Sequence, residues 1–144
     1  MKAIQLRTEY LEKPMTLDRL NPRFFWKCSS GVKQTAYQIK AERNDVVIWD
    51  SGKVVSSAMT HIYYEGQPLH SRDIVNWFVK LWDEDDAAGE WASSSFEMGL
   101  LAGDDWQAKW ISGDYTPEKD VRYPVDYFRK VFSTERKVKK ARFY

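Results

Sequence analysis

The sequence predicts an all-β chain built around an antiparallel β-sandwich. Three observations carry that reading. Runs with a period of two recur about every 8–12 residues with turn chemistry between them, which is sandwich spacing. The run Asn76-Trp77-Phe78-Val79-Lys80-Leu81-Trp82-Asp83 puts Trp77, Val79 and Leu81 on one face and Asn76, Phe78, Lys80 and Trp82 on the other. Its return, Trp91 to Gly99, lies across the polar loop Glu84 to Glu90 and carries Phe96 and Met98 on one face, so the pair reads as a central hairpin. Finally, no stretch joins a helical apolar period to helix caps.

In chain order, Ile4 and Leu6 alternate with Gln5 and Arg7, a first strand. Lys13-Pro14 and Asn21-Pro22 punctuate the stretch after it. Phe24, Trp26 and Cys28 share one strand face, with Phe25 and Lys27 on the other, and Ser29-Ser30-Gly31 turns the chain. Thr35, Tyr37, Ile39 and Ala41 then alternate with polar neighbours, the cleanest strand pattern present. Asn44-Asp45 turns into Val46 to Trp49, which ends at Asp50-Ser51-Gly52. Ala58 to Tyr64 is a further strand, closed by Glu65-Gly66-Gln67-Pro68 ahead of the hairpin. Beyond Leu101 the texture changes. Residues 105–126 read as a linker containing Gly113, Pro117 and Pro124, and 127–144 as two strands of a second β module that stops unfinished. The sandwich is therefore expected over 1–104.

A chain of 144 residues buries roughly 68–70% of its unfolded surface, and seven Trp, eight Tyr and seven Phe supply the apolar area. With 22 basic and 21 acidic residues the charges nearly cancel. Nucleic acid is then not the expected partner, because duplex binding needs a basic stripe. The run Arg136-Lys137-Val138-Lys139-Lys140 reads as a solvated turn or strand edge. Cys28, the only cysteine, can form no internal disulfide and reads as a buried, inert thiol. The first residues lack the apolar core of a signal peptide, and no run approaches the ~20 apolar residues of a membrane span. A cytoplasmic chain with no membrane partner is the expectation.

No catalytic constellation emerges. Asp83 to Asp86 and Asp104-Asp105 fall in loops with no apolar pocket to raise a carboxyl pKa, so they read as solvated charge. An EF-hand fails at Ala87 and Ala88, which stand at the third ligand and the glycine positions. His61 and His70 have no clustered partner for zinc. No nucleophile elbow or phosphate loop is present. Catalytic residues, metal ligands and cofactors are thus expected to be none. The remaining signal is aromatic. Trp26, Tyr37 and Trp77 belong to apolar faces, whereas Phe78 and Trp82 lie on the opposite face of the hairpin and Trp106 and Trp110 in the linker. Such rings can stack on sugars or cover a neighbouring domain, and their place directly beside the linker favours docking between modules.

Several segments, in shared order, resemble the N-terminal part of bacterial α-L-rhamnosidases. They are Leu6-Arg7-Thr8-Glu9-Tyr10-Leu11 with Pro14, Pro22-Arg23-Phe24-Phe25-Trp26, Gln34-Thr35-Ala36-Tyr37-Gln38-Ile39 and Trp49-Asp50-Ser51-Gly52-Lys53-Val54. Tyr64 to Leu69, Trp77-Phe78-Val79 with Trp82-Asp83, Phe96 to Leu101 and Trp106 to Ile111 continue the likeness, and Phe128 to Phe132 with Ala141 to Tyr144 look like the start of the next module. The resemblance implies an immunoglobulin/fibronectin-III-like sandwich, then a jelly roll associated with sugar binding, then a helical catalytic barrel. In that barrel acidic residues hydrolyse terminal α-L-rhamnose linkages with inversion. This chain would hold the sandwich and the edge of the jelly roll, a non-catalytic scaffold whose alternative is a stand-alone carbohydrate-binding or adhesion module. Its partners would be the downstream modules and, through the parent enzyme, rhamnose-containing glycosides. Copies pairing through the end strand at Phe143 and Tyr144 would add a homo-oligomer. One position departs from the family: Val75 stands where a tyrosine is usual, so the corresponding tyrosine corner must be held another way.

Overall fold

The structure is a computed structural model that describes all residues except Ser30, Val32, Pro117, Lys140, Phe143 and Tyr144. The expected Ser30 turn, the Pro117 punctuation, the end of the basic run and the pairing through Phe143 and Tyr144 fall outside the described residues. The strands are β1 (Ala3–Thr8), β2 (Arg23–Cys28), β3 (Ala36–Arg43), β4 (Val46–Asp50), β5 (Val54–Val55), β6 (Ile62–Tyr63), β7 (Ile74–Trp82) and β8 (Ala92–Glu97). A short 3-10 turn at Gly103–Asp105 is the only helical element among the described residues.

Two antiparallel sheets form. One runs β1-β2-β6 and the other β4-β3-β7-β8. One edge of β3 carries β4 against Lys40 to Arg43 and β5 against Ala36 and Tyr37, while β7 pairs along its whole other edge. The core lies between the sheets. Trp77, Val79 and Leu81 of β7 are fully buried, with Ile39 and Ala41 of β3 beside them. Phe24 of β2 enters from the opposite sheet and meets the Trp77 ring at 4.5 Å and the Phe96 ring at 6.1 Å. Trp26 meets Tyr37 edge-on at 5.4 Å. Aromatic pairs of this kind add about 0.5–1.5 kcal/mol each beyond their area burial.

Three strands of the sandwich depart from the sequence reading. In β1 the backbone of Gln5 turns left-handed (φ 50°) and the register slips between Ile4 and Arg7. The extra residue breaks the period of two. Ala3 and Thr8 therefore point inward and Ile4 is exposed. In β2 three successive residues, Phe24, Phe25 and Trp26, are buried. Phe25 faces outward from the core but lies under Tyr10 at 4.3 Å and His61 at 5.4 Å. Finally, the strand expected from Ala58 to Tyr64 shrinks to β6, because His61 also adopts positive φ (56°). The segment before it is pinned by the buried Gln34, whose Nε2 donates to the carbonyls of Ser56 (3.1 Å) and Ala58 (2.9 Å).

Val75 is buried within β7. The backbone tie that a tyrosine there would give is made elsewhere: buried Tyr64 donates its hydroxyl to the Gln67 carbonyl at 2.7 Å. Burial pushes that phenol up to about 12.

The outer layer is held by Glu9, whose carboxylate accepts from the Arg23 backbone N–H (2.7 Å) and from Nη2 (2.6 Å). Burial raises the Glu9 carboxyl, but these Arg23 bonds and charge outweigh it and hold the group below its ordinary value. A lowered folded-state pKa gives stability that is present above the unfolded pKa and lost as pH falls through the folded one. Glu9→Gln is therefore expected to lower the urea midpoint at neutral pH, with the gap to wild type closing as the pH falls below the ordinary carboxylate range. A gap independent of pH would exclude this role.

The chain divides into two compact units, Met1–Gln107 and Ala108–Tyr144. In the second, the strands expected at Tyr127 to Phe132 and Lys137 to Tyr144 do not form among the described residues. Two short strands without further partners are marginal. Local contacts organise this unit instead: the Asp126 carboxylate accepts from the Gly113 N–H and the Tyr115 hydroxyl, each at 3.1 Å, and Tyr115 stacks on Tyr123 at 4.8 Å.

Candidate functional site

Alternation along β7 sends Asn76, Phe78, Lys80 and Trp82 to the outer face of the larger sheet. The register sets Lys40 opposite Phe78, Gln38 opposite Lys80 and Ser93 across from Phe78 on β8. Phe78, Lys80 and Trp82 are each half-buried. The result is a ladder of ammonium groups over indole rings. Lys80 Nζ lies 4.6 Å from the Trp91 ring centre and 5.3 Å from that of Trp82. Lys40 lies over Trp91 at 5.6 Å, and Lys53 over Trp82 at 4.9 Å. At an exposed site each such contact is worth about 0.5–1 kcal/mol.

Carboxylates flank the ladder. Lys40 pairs with Asp50 at 3.4 Å, and Lys53 pairs with Asp86. Burial raises the Asp50 carboxyl, but a hydrogen bond from Gln38 (2.7 Å), the Gly52 N–H and the Lys40 charge together hold it below its ordinary value. Lys40 and Lys53 are thus each balanced by a carboxylate, whereas Lys80 rests on the two indole rings. The indoles already carry lysine ammonium groups, so a sugar stacking on Trp82 or Trp91 would have to displace them.

Phe78 and Trp82 share this face. Trp106 follows the 3-10 turn in the same unit and is 48% exposed, and no ring contact joins it to Phe78 or Trp82 among the described residues. Trp110 belongs to the second unit and is 98% exposed. Sequence reasoning missed Trp91, Lys40 and Lys53. Lys80 was legible as a neighbour of Phe78 and Trp82 by period, but the other three reach the face only through cross-strand register and loop placement.

The remaining polar candidates have local roles. Asp83 Oδ1 accepts from the backbone N–H groups of Asp85 (3.2 Å) and Ala87 (2.9 Å), which makes the acidic loop a self-closed turn. His61 Nε2 meets the Tyr10 hydroxyl at 3.0 Å, and His70 Nδ1 lies 3.0 Å from Arg43 Nη1. Cys28 is half-buried rather than buried, because β2 ends there; its sulfur meets Gln34 at 3.8 Å and Met59 at 3.4 Å. Burial still pushes its thiol up, so it is a poor nucleophile at neutral pH.

Two antiparallel sheets closed on aromatic rings define an immunoglobulin-like sandwich module. Residues 3–102 match the family model described as the Rha78A-like, N-terminal immunoglobulin domain, and the chain belongs to that family. It is 36% identical to an α-L-rhamnosidase of Alteromonas sp. (strain LOR), over 91% of this chain and 16% of that protein. The crystal structure of Streptomyces avermitilis α-L-rhamnosidase complexed with L-rhamnose matches with a TM-score of 0.72 at 38% identity, covering 77% of this chain and 12% of the other. An α-L-rhamnosidase structure from Dictyoglumus thermophilum matches with a TM-score of 0.72 at 34% identity, covering 78% and 14%. The chain therefore spans about one-sixth of the length of the Alteromonas relative.

Proposed function

We propose that this chain is the non-catalytic N-terminal scaffold of an α-L-rhamnosidase-like glycoside hydrolase. The parent enzyme would cleave terminal α-L-rhamnose linkages with inversion in a barrel lying outside these residues. The observation that carries the reading is the short share of each relative that this chain covers, 16% in the Alteromonas enzyme and 12% in the Streptomyces structure. Residues 127–144 would begin the next β module. Tyr127 (95% exposed) and Phe132 (76%) then find their partners in that module.

The outer face around Phe78, Lys80 and Trp82 is the docking surface in this reading. Trp82→Ala is expected to lower the thermal transition of this 144-residue chain only slightly, by the loss of one or two cation–π contacts. In a polypeptide that also carries the following modules, the same substitution should cost several-fold more. Equal losses in the two polypeptides would remove this face from the interface.

A further inference from the structure

β8 forms one edge of the larger sheet, and half of that edge already serves as a template. The Glu97 N–H donates to the Pro14 carbonyl and the Glu97 carbonyl accepts from the Leu17 N–H, each at 2.9 Å, with Leu17 bridging Met98 in the parallel sense. We propose that the other half, at Ser93 and Ser95, takes up an extended acidic segment of another protein as one more strand of this sheet.

The backbone carries the argument. β7 and β8 pair without a break from Ile74↔Glu97 to Val79↔Ala92. In such a ladder the backbone groups of alternate residues face opposite neighbours. Glu97 faces Pro14 and Leu17, whereas the Met98 N–H donates back to the Asp73 carbonyl at 2.8 Å. The N–H and C=O of Ser93 and Ser95 therefore point away from β7, and none of them has a hydrogen-bond partner among the described residues. Ser93 is exposed and Ser95 half-buried, so the row is open to approach. Its donors and acceptors repeat about every 6.8 Å, two residues of antiparallel strand. An extended backbone has the same repeat, which is the basis of strand addition. The lysine and proline that commonly guard an edge are missing from β8.

The surroundings select the segment. A groove of about 610 Å³ runs beside Ser93 and Ser94, bordered by Gln5 and Leu6 of β1 and by Glu12 and Lys13. A smaller one of about 210 Å³ lies against the outer-face residues Asn76 and Phe78, and Lys13 lines that one too. Lys13 is exposed and has no ion pair among the described residues, whereas Glu12 is paired with Arg7 at 3.5 Å. The unpaired ammonium calls for a carboxylate in the entering strand. A second copy of this chain is a poorer source. Its Asp83 to Asp86 run is closed into a turn on Asp83 Oδ1, and its Asp126 is held by Gly113 and Tyr115. None of this depends on the scaffold reading, which uses the outer face around Trp82.

The test uses the full chain labelled with nitrogen-15 and the capped peptide acetyl-Thr-Val-Glu-Val-Thr-Val-amide. Saturable shifts of the Ser93 and Ser95 amides are expected, with slower hydrogen exchange at both. The same peptide N-methylated at every second residue should not bind, because its backbone donors are lost. Ser95→Pro should abolish binding and leave the β7–β8 amides in place, since the Ser95 N–H makes no bond to β7 and proline is tolerated at such edge positions. Lys13→Glu should weaken binding about 1.4–5-fold, the effect of one exposed ion pair, and strengthen by a similar factor the binding of a peptide with lysine in place of glutamate. The proposal is overturned if the peptide leaves Ser93 and Ser95 unshifted, if the N-methylated peptide binds as tightly as the parent, or if Lys13→Glu treats both peptides alike. It is also overturned if a folded Ser95→Pro chain binds like wild type, or if sedimentation shows the chain alone to be a dimer that Ser95→Pro separates, which would give the edge to a second copy. Should Ser95→Pro not fold, the N-methylated peptide makes the same comparison on the wild-type chain. Failure here leaves the docking comparison of Trp82→Ala untouched, so the two readings fall separately.

Discussion

Trp77→Ala is expected to destabilise the sandwich by about 3–5 kcal/mol, the range for large-to-small aromatic changes in a core. Trp77 is fully buried at the middle of β7 and packs on Phe24 from the opposite sheet. The substitution would therefore open a cavity where the two sheets meet, and stabilities of small domains total only about 5–15 kcal/mol. Trp77→Phe should be much milder, for a reason the structure supplies. The indole Nε1 is buried without a hydrogen-bond partner among the described residues, and a buried unpaired donor costs about 1–3 kcal/mol. Phenylalanine keeps a ring and removes that donor. Urea unfolding followed by circular dichroism measures both. A Trp77→Phe loss as large as that of Trp77→Ala would mean that indole shape, rather than ring burial, holds the sheets together.

Gly66→Ala is expected to have the second large effect, at least about 2 kcal/mol, by overpacking. A Cβ at Gly66 would sit 2.5 Å from Trp49 Cβ, 2.5 Å from the Tyr64 hydroxyl and 2.6 Å from the Ile48 carbonyl oxygen. None of these is the free end of a flexible side chain. The Ile48 carbonyl also accepts from the Gln67 N–H at 3.0 Å, and the Tyr64 hydroxyl donates to the Gln67 carbonyl. The added methyl thus forces apart the turn that ties β4 to the stretch after β6. Tyr64→Phe removes only the hydroxyl bond and should cost about 0.5–1.5 kcal/mol. Thermal unfolding of the two variants side by side separates steric strain from the lost bond. A Gly66→Ala chain as stable as Tyr64→Phe would show that the turn can yield.

Much of the fold was legible because β3 and β7 lie between neighbours for most of their length. There every second side chain is committed to the core, so Ile39, Ala41, Trp77, Val79 and Leu81 announce themselves by period alone. Two of the misses share one physical cause. Gln5 and His61 adopt left-handed backbone without being glycine or asparagine, so no residue type marks the bulge in β1 or the late start of β6. The burial of Phe25 depends on Tyr10, which arrives from a separate turn. Of the candidate docking face, Phe78 and Trp82 could be read from alternation. Lys40, Lys53 and Trp91 could not, since their approach is set by strand pairing for Lys40 and by loop placement for Lys53 and Trp91, which a single run does not encode. The strands expected beyond Tyr127 show the converse: local alternation was present, but pattern without a partner leaves no ladder among the described residues.

The most direct measurement is incubation of the purified chain with an aryl α-L-rhamnoside, monitored for phenol release. The scaffold account predicts release no faster than the buffer blank at any protein concentration. Release that rises in proportion to the chain, and disappears when the sandwich is unfolded in urea, would contradict it.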